Sequence, residues 1–144
     1  DTIKNQGVSS TLFKELVAKI GAHKIALLFD SCKSGAAMTA FSQFANQRST
    51  AMLSRSTGIN IATASTGKQY ANELSELGHG IFTYAILEGL KGKADRKPRD
   101  GSLFISETMQ FIKRYVPFLN RKYDAGSQTP VVNLSGADFL VFKK

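Results

Sequence analysis

The chain has 144 residues, of which 42% are hydrophobic and 21% charged, and this is the size and composition of one globular domain. No apolar run approaches the ~20 residues that a membrane-spanning helix needs, and the N-terminal segment lacks the basic start and the apolar stretch of a signal peptide. The formal net charge is +8, and the single cysteine excludes a disulfide within the chain. We therefore expect a cytoplasmic protein.

The first predicted elements are a helix and a buried strand. Ser9 or Ser10 is expected to cap the helix, whose apolar residues recur at helical spacing until Gly21 ends it. Residues 24–30 (KIALLFD) form a short apolar run that is typical of a central strand in a parallel sheet. This strand leads into a small polar loop that contains Cys32.

The rest of the chain continues the alternation of strands and helices. The predicted elements are a strand at 59–64, a polar loop at 65–78, a helix at 80–90, an extended piece at 102–105, a helix capped by Ser106, and extended segments at 131–134 and 138–142. This alternation predicts an α/β fold built as a three-layer α/β/α sandwich. Reactive groups of such folds lie in the loops at the carboxyl ends of the strands, which is where Cys32 stands.

Much of the positive charge falls into two clusters. The first contains Lys91, Lys93, Arg96, Lys97 and Arg99, and the second contains Lys113, Arg114, Arg121 and Lys122. Basic clusters can mark nucleic-acid binding. We interpret them instead as a solvated loop and a solvated helix face, because no nucleic-acid motif and no interleaving of aromatic with basic residues accompanies the charge.

Two segments resemble the caspase-like cysteine peptidases, the group that includes metacaspases and paracaspases. Residues 27–35 (LLFDSCKSG) are similar to the metacaspase signature of an apolar strand followed by Asp-x-Cys-x-Ser-Gly, with Lys33 where a histidine is common. Residues 61–65 (IATAS) and 78–90 (GHGIFTYAILEGL) resemble the strand and the following helix of bacterial members, and residues 128–130 (QTP) are also similar to the family.

This resemblance implies a cysteine endopeptidase with a mostly parallel sheet. Residues 1–144 would then be the C-terminal portion of one peptidase domain, containing the strand and loop of the catalytic cysteine and the region that resembles the small subunit. Cys32 would be the nucleophile of a Cys–His dyad and would form an acyl-enzyme, while its own backbone N–H belongs to the oxyanion hole.

The catalytic histidine is expected outside this chain. The caspase histidine lies ~50 residues before the cysteine, whereas only 31 residues precede Cys32. His23 precedes the strand and so lies up to ~30 Å away at the opposite end of the sheet. His79 follows Cys32 by 47 residues at a helix start, and a structural role is expected for it.

A companion segment upstream of Asp1 is therefore expected to carry the histidine. Either the chain is the C-terminal product of zymogen processing and the histidine is on an associated chain, or the sequence is a truncated piece of the domain. Without the missing strands, the sheet would have an open edge and uncovered apolar surface.

Two carboxylates are candidates for the pocket that holds the substrate residue before the scissile bond. Asp30 is two residues from Cys32, and residues two apart in an extended stretch point to the same side. In metacaspase-like and paracaspase-like enzymes an acid at this position helps to form the pocket, and Glu73 is the second candidate, with Glu76 as its rival. An acidic pocket selects Arg or Lys. Ser65 is a further candidate for the cleft, and the alternative role for Asp30 is to cap the loop.

Two other functions compete with the peptidase. The first is an inactive caspase-like scaffold or regulatory module, and the second, less favoured, is a nucleic-acid-binding module that uses the basic clusters. We predict no cofactor and no metal. Calcium activates some relatives of the peptidases that the chain resembles, but the sequence contains no carboxylate cluster with the spacing of a calcium loop.

Overall fold

The computed structural model describes residues 9–31, 58–65, 73–74, 78–96 and 98–143. The elements in chain order are helix α1 (Ser10–Ala18), strands β1 (Lys24–Phe29), β2 (Gly58–Thr63), β3 (Glu73–Leu74) and β4 (His79–Gly80), helix α2 (Ile81–Glu88) with a π-helical turn (Gly89–Lys93), strand β5 (Ser102–Phe104), helix α3 (Ile105–Lys122), and strands β6 (Val131–Leu134) and β7 (Leu140–Lys143). This mixed α/β content agrees with the predicted class. None of the described helices is long and apolar enough to cross a membrane.

The three-stranded sheet at the centre has the order β1–β2–β6. Strand β1 runs parallel to β2, in register from Lys24 opposite Gly58 to Phe29 opposite Thr63. Strand β6 is antiparallel to β2, so this sheet is mixed and contains one parallel and one antiparallel pair. Within the described part of the chain, β2 is the central strand and β1 has a neighbour on only one of its edges.

Side chains of β2 enter two apolar clusters according to their position along the strand. Ile59 and Ile61 pack with Val17 of α1 and with Ile25. Ala62, in contrast, joins the cluster formed by α2 and α3. Successive side chains of a strand point to opposite faces of the sheet, so α1 covers one face of β2 while α2 and α3 cover the other.

The two helices α2 and α3 supply most of the buried apolar side chains of the larger cluster. Their fully buried members are Ile81, Phe82 and Ala85 of α2 and Met109, Ile112 and Val116 of α3. The first helix is only partly covered. Val17 is 3% exposed, whereas Leu12 and Leu16 on the same helix are 45% and 49% exposed, so half of its apolar stripe has no cover in the described structure.

One of the two helix caps expected from sequence is present. Ser9 caps α1, and its Oγ accepts a hydrogen bond from the Leu12 N–H at 3.1 Å. The prediction that Ser106 caps the last long helix is wrong, because α3 begins at Ile105 and Ser106 lies within its first turn. Ser106 donates its N–H and its hydroxyl to Asp138, at 3.0 and 2.6 Å, so a distant carboxylate satisfies this helix end.

Glu88 is a buried acid at the end of α2, 6% exposed, and it accepts hydrogen bonds from Lys93 and Lys91. These bonds, first that of Lys93 and then that of Lys91, lower the pKa of Glu88 below its usual 4.5. Lys93 reaches Glu88 after the chain turns at Gly92, whose φ of 104° favours glycine.

We expect Glu88→Gln to destabilise the protein at neutral pH. A carboxyl with a depressed pKa in the folded state stabilises the fold above its unfolded pKa, and this stabilisation is lost as the pH falls through the folded value. Because the lysine ammonium groups are exposed to water, the loss at pH 7 should be only about 0.5–1 kcal/mol. Urea unfolding of both proteins at neutral pH and below pH ~4 tests this. If the two proteins differ in free energy of unfolding by as much in acid as at neutral pH, the stabilising role of the Glu88 carboxylate is contradicted.

Candidate functional site

The carboxyl ends of β1 and β2 lie side by side. The two strands pair in parallel as far as Phe29 and Thr63, and the Ala64 N–H then donates to the Phe29 carbonyl at 2.8 Å. The residues that follow each strand, Asp30 and Ser65, therefore leave the sheet at the same edge. This is the edge at which the sequence placed the reactive loop. Cys32 itself lies outside the described residues.

Asp30 is exposed and is attached to the start of α2. Its Oδ2 accepts a hydrogen bond from the Thr83 hydroxyl at 2.5 Å. Thr83 is the third residue of α2, whose N-cap, Gly80, offers no side chain to the free N–H groups of the first turn. The carboxylate thus stands near the positive end of a helix. Oδ1 remains able to accept from a ligand.

Thr83 is a site residue that reasoning from sequence missed. It is separated from Asp30 by 53 residues, and no local sequence pattern predicts a contact between residues so far apart in the chain. The available signal was its position in residues 78–90, where a hydroxyl follows the Gly-His-Gly segment by three residues. A polar side chain in the first turn of an otherwise apolar helix is suited to contact a group beyond the helix end.

The loop after β2 is fixed by a buried amide. Gln128 is 1% exposed, and its Nε2 donates to the Ala64 carbonyl at 2.9 Å. The backbone carbonyl of Gln128 accepts a hydrogen bond from Asn120 Nδ2 of α3, also at 2.9 Å. Ser65 is fully buried, and its carbonyl accepts from the Thr63 hydroxyl at 3.3 Å, so its side chain does not face solvent.

The backbone of Glu73 is brought towards the same helix start. Strand β3 pairs with β4 so that Glu73 lies opposite Gly80, the residue directly before α2. Gly80 is three residues from Thr83, and Thr83 contacts Asp30. The described structure includes the backbone but not the side chain of Glu73, and Glu76 lies outside the described residues. Their roles in a pocket stay predictions.

The two histidines differ in their relation to this edge. His23 directly precedes β1 and is exposed, so it lies at the amino end of the strand, opposite to Asp30, as predicted. His79 is exposed in β4, four residues before Thr83. No cluster of three or more His, Cys, Asp or Glu side chains suited to a metal ion is found among the residues that the structure describes.

In comparisons with protein-family models, curated proteins and solved structures, no match to this chain is found. The resemblance to caspase-like peptidases therefore rests on the motifs quoted above. The geometry adds a parallel strand pair whose carboxyl ends meet, and an exposed carboxylate at the end of the strand that leads to Cys32.

Proposed function

We propose that this chain is the cysteine-bearing part of a caspase-like endopeptidase that cuts after Arg or Lys with Cys32 as nucleophile. The observation that carries the proposal is the position of Asp30. This acid stands at the carboxyl edge of a parallel strand pair, two residues before the only cysteine, with its carboxylate exposed and held by Thr83. Exposure makes it available to a substrate cation at the place where ligands bind in folds of this class.

The proposed reaction uses a thiolate and an imidazole. The Cys32 thiolate attacks the carbonyl carbon of the scissile peptide, and the backbone N–H of Cys32 stabilises the oxyanion that forms. The histidine protonates the departing amine, which leaves a thioester between Cys32 and the substrate. Water activated by the same histidine then hydrolyses the thioester and restores the thiol.

Asp30 selects the residue before the scissile bond. A guanidinium or ammonium group of the substrate pairs with its carboxylate, and Thr83 holds one carboxylate oxygen so that the other is directed to the ligand. Glu73 is the second acid proposed for the pocket, and the backbone pairing of β3 with β4 is compatible with this role.

The three-layer α/β/α arrangement belongs to the same proposal. It is supported by the two apolar clusters, which place α1 against one face of β2 and α2 with α3 against the other. Further strands would extend the sheet on the free side of β1, where the described residues provide no neighbour.

A companion segment that carries the histidine would cover this side of the molecule. Leu28 of β1 is 43% exposed, and Leu12 and Leu16 of α1 are similarly exposed. Exposed large apolar side chains, together with a free strand edge, are typical of a surface that another element covers. Neither His23, at the wrong end of β1, nor any described group on β1 replaces the missing base.

Labelling with an activity-based probe tests the function. The probe carries Arg before an electrophilic carbonyl, and it is added to the protein isolated from its natural source with every polypeptide that co-purifies, hereafter the complete assembly. We expect covalent labelling of Cys32, identified by peptide mass spectrometry, and a histidine in a companion segment within the assembly. A matched probe with Asp in place of Arg should label poorly because two carboxylates repel each other.

One outcome would contradict the peptidase, and another would contradict the companion segment. An unlabelled Cys32 in the complete assembly would favour the alternative, a catalytically inactive scaffold with the same fold. Full labelling of this chain in isolation, without the companion segment that is proposed to carry the histidine, would contradict the need for that segment. Denatured protein is the control for non-specific alkylation, because a cysteine without an activating base has its ordinary low thiolate fraction at neutral pH.

A further inference from the structure

Three residues of the first basic cluster and Arg114 of the second line two adjoining cavities. One cavity of ≈ 800 Å³ is lined by Lys93, Asp95, Arg96 and Arg99. The other, of ≈ 330 Å³, shares Lys93 and Arg96 with the first and adds Arg114 and the aromatic side chains of α3. We call the surface that contains both cavities the cationic–aromatic face, formed by Lys93, Arg96, Arg99, Arg114, Tyr115 and Phe118.

Positive charge on this face exceeds the negative charge beside it. Asp95 is the one acid among the described residues that line the cavities, and its Oδ2 already accepts the Gly101 N–H at 3.1 Å. Within the described residues, Arg96, Arg99 and Arg114 form no ion pair. Burial lowers the pKa of Arg114, and the like charge of Arg96 lowers it further. An anion bound between these guanidinium groups would relieve their repulsion.

A ladder of aromatic rings lies beside these cations on α3. Phe111 stacks on Tyr115 with ring centroids 4.7 Å apart, and Tyr115 stacks on Phe118 at 5.7 Å. Gly89 permits the close approach that fixes this ladder, because a Cβ there would lie 3.2 Å from a Phe111 ring carbon. Phe118 ends the ladder and is 47% exposed, so its ring offers a flat apolar surface to a ligand.

From this juxtaposition of an exposed ring with unpaired guanidinium groups, we propose that the cationic–aromatic face binds single-stranded nucleic acid. Phosphates bind at Arg96, Arg99 and Arg114, and an unstacked nucleobase stacks on Phe118. A duplex keeps its bases stacked inside and cannot use the ring. An acidic peptide could pair its carboxylates with the arginines, but its residues carry no flat ring to stack on Phe118 as each nucleotide does. The net charge of +8 adds a long-range attraction for a polyanion.

The signal for this face was present in the sequence. Residues 111–118 (FIKRYVPF) place Lys113 and Arg114 between the aromatic residues Phe111 and Tyr115, so the statement that no aromatic residues are interleaved with the basic ones is wrong for this segment. On a helix, Phe111, Tyr115 and Phe118 recur on one face, and Arg114 is next to them. Only the fold shows that Lys93 lies near this helix, with its Nζ 6.0 Å from the centroid of the Tyr115 ring.

The cationic–aromatic face is separate from the proposed peptidase site. Thr83, which contacts Asp30, is in the first turn of α2, whereas Lys93 ends the π-helical turn ten residues later. At ~1.5 Å per helical residue, Thr83 lies roughly 8 Å along the axis from Glu88 at the other end of α2, and Lys93 follows only after the π-helical turn and the turn at Gly92. Substitutions on the face therefore leave the peptidase residues in place, and loss of nucleic-acid binding is distinguishable from loss of cleavage.

Fluorescence anisotropy of a labelled oligouridine of about 20 nucleotides tests the proposal. Titration of the protein at several salt concentrations between about 50 and 200 mM gives the affinity and its salt dependence. With three phosphate contacts, the slope of log K against log salt should be about −2 for a single strand. Arg96→Gln and Arg114→Gln should each reduce that slope by about 0.7.

Phe118→Leu separates stacking from charge. It keeps an apolar side chain and every cation, and we expect it to weaken binding about tenfold with the salt slope unchanged. Lys19→Gln, directly after α1, and Phe104→Leu, directly before α3, are matched controls, because both residues are exposed and lie outside the face. Both control variants should bind as the unsubstituted protein does.

Three results with the strand, its competitors of equal length and the Phe118 variant would overturn the proposal, and a fourth with uridine monophosphate is given last. These are the absence of saturable binding at the lowest salt, equal affinity for a duplex or a polyglutamate of the same length, and an unchanged affinity in Phe118→Leu. Equal affinity for polyglutamate would assign the face to acidic polypeptides. Equal competition by uridine monophosphate at the same nucleotide concentration would show that the cationic–aromatic face binds a free nucleotide. It would also reject a nucleic acid strand as its ligand.

Discussion

Cys32→Ala is expected to reduce peptide cleavage by the complete assembly to less than about a hundredth of the wild-type kcat/KM, because no acyl-enzyme can form without the thiolate. The measurement is hydrolysis of an Arg-containing fluorogenic peptide. The variant should still bind the peptide, since the backbone N–H of residue 32 and the carboxylate of Asp30 are unchanged. Its melting temperature should also be unchanged, because the sequence predicts a small polar loop at residue 32, where a smaller side chain removes no predicted core contact.

Ser34→Ala is the matched control for this experiment. It removes one polar atom from the same loop, two residues after Cys32, and the proposal gives it no chemical role. We expect it to retain most of the activity. Residual cleavage above about a hundredth in Cys32→Ala, with normal folding, would show that another group is the nucleophile. An equal loss in both variants would point to a disturbed loop.

Local physical chemistry accounts for the elements that the sequence predicted well. The strand at 24–29 and the helix that Ser9 caps follow from apolar patterning and from a hydroxyl acceptor at the helix start. The second strand was expected at 59–64 and is found one residue earlier, at Gly58–Thr63. The meeting of β1 and β2 at one carboxyl edge was also predictable, because parallel strands must end on the same side.

Apart from the aromatic and basic residues of 111–118, the misses depend on contacts between distant parts of the chain. The antiparallel direction of β6 against β2 is not encoded in the apolar run of β6 itself. Asp138 and Thr83 act on partners 32 and 53 residues away, so no local pattern contains their hydrogen bonds. The approach of Lys93 to α3 is of the same kind, since it requires the turn at Gly92 and the packing of α2 on α3.

Asp30→Asn is expected to lower kcat/KM for Arg substrates by about 30-fold or more in the complete assembly. The side chain keeps its shape and can still accept from Thr83, but the pair with the substrate guanidinium loses its charge. In the free protein Asp30 is exposed, and water screens it. A bound substrate displaces that water. Loss of the charge pair between Asp30 and the substrate guanidinium, once it is shielded from water, costs at least ~2 kcal/mol, which corresponds to the factor of 30.

Thr83→Val is the companion variant. It preserves volume and removes the hydroxyl that holds Asp30 Oδ2. Because the carboxylate stays charged but is less well oriented, we expect a smaller loss for Arg substrates, expressed as a higher KM with kcat unchanged. In the Asp30→Asn background the same change should have little further effect, since an interaction that acts through one carboxylate is non-additive with its removal.

A matched series of Arg, Lys and Asp peptides decides whether the Asp30 carboxylate sets specificity. The wild type should cleave Arg and Lys peptides and should be poor on Asp peptides, in which two carboxylates would face each other. Asp30→Asn should reduce the ratio of kcat/KM for Arg peptides to kcat/KM for Asp peptides. It should cleave Arg peptides more slowly, and it should no longer repel Asp peptides. Unchanged Arg cleavage in Asp30→Asn would show that the carboxylate only holds the start of α2 through Thr83. A wild-type preference for Asp peptides would reject the acidic pocket altogether, because a bound substrate carboxylate beside Asp30 would place two unpaired like charges in one site.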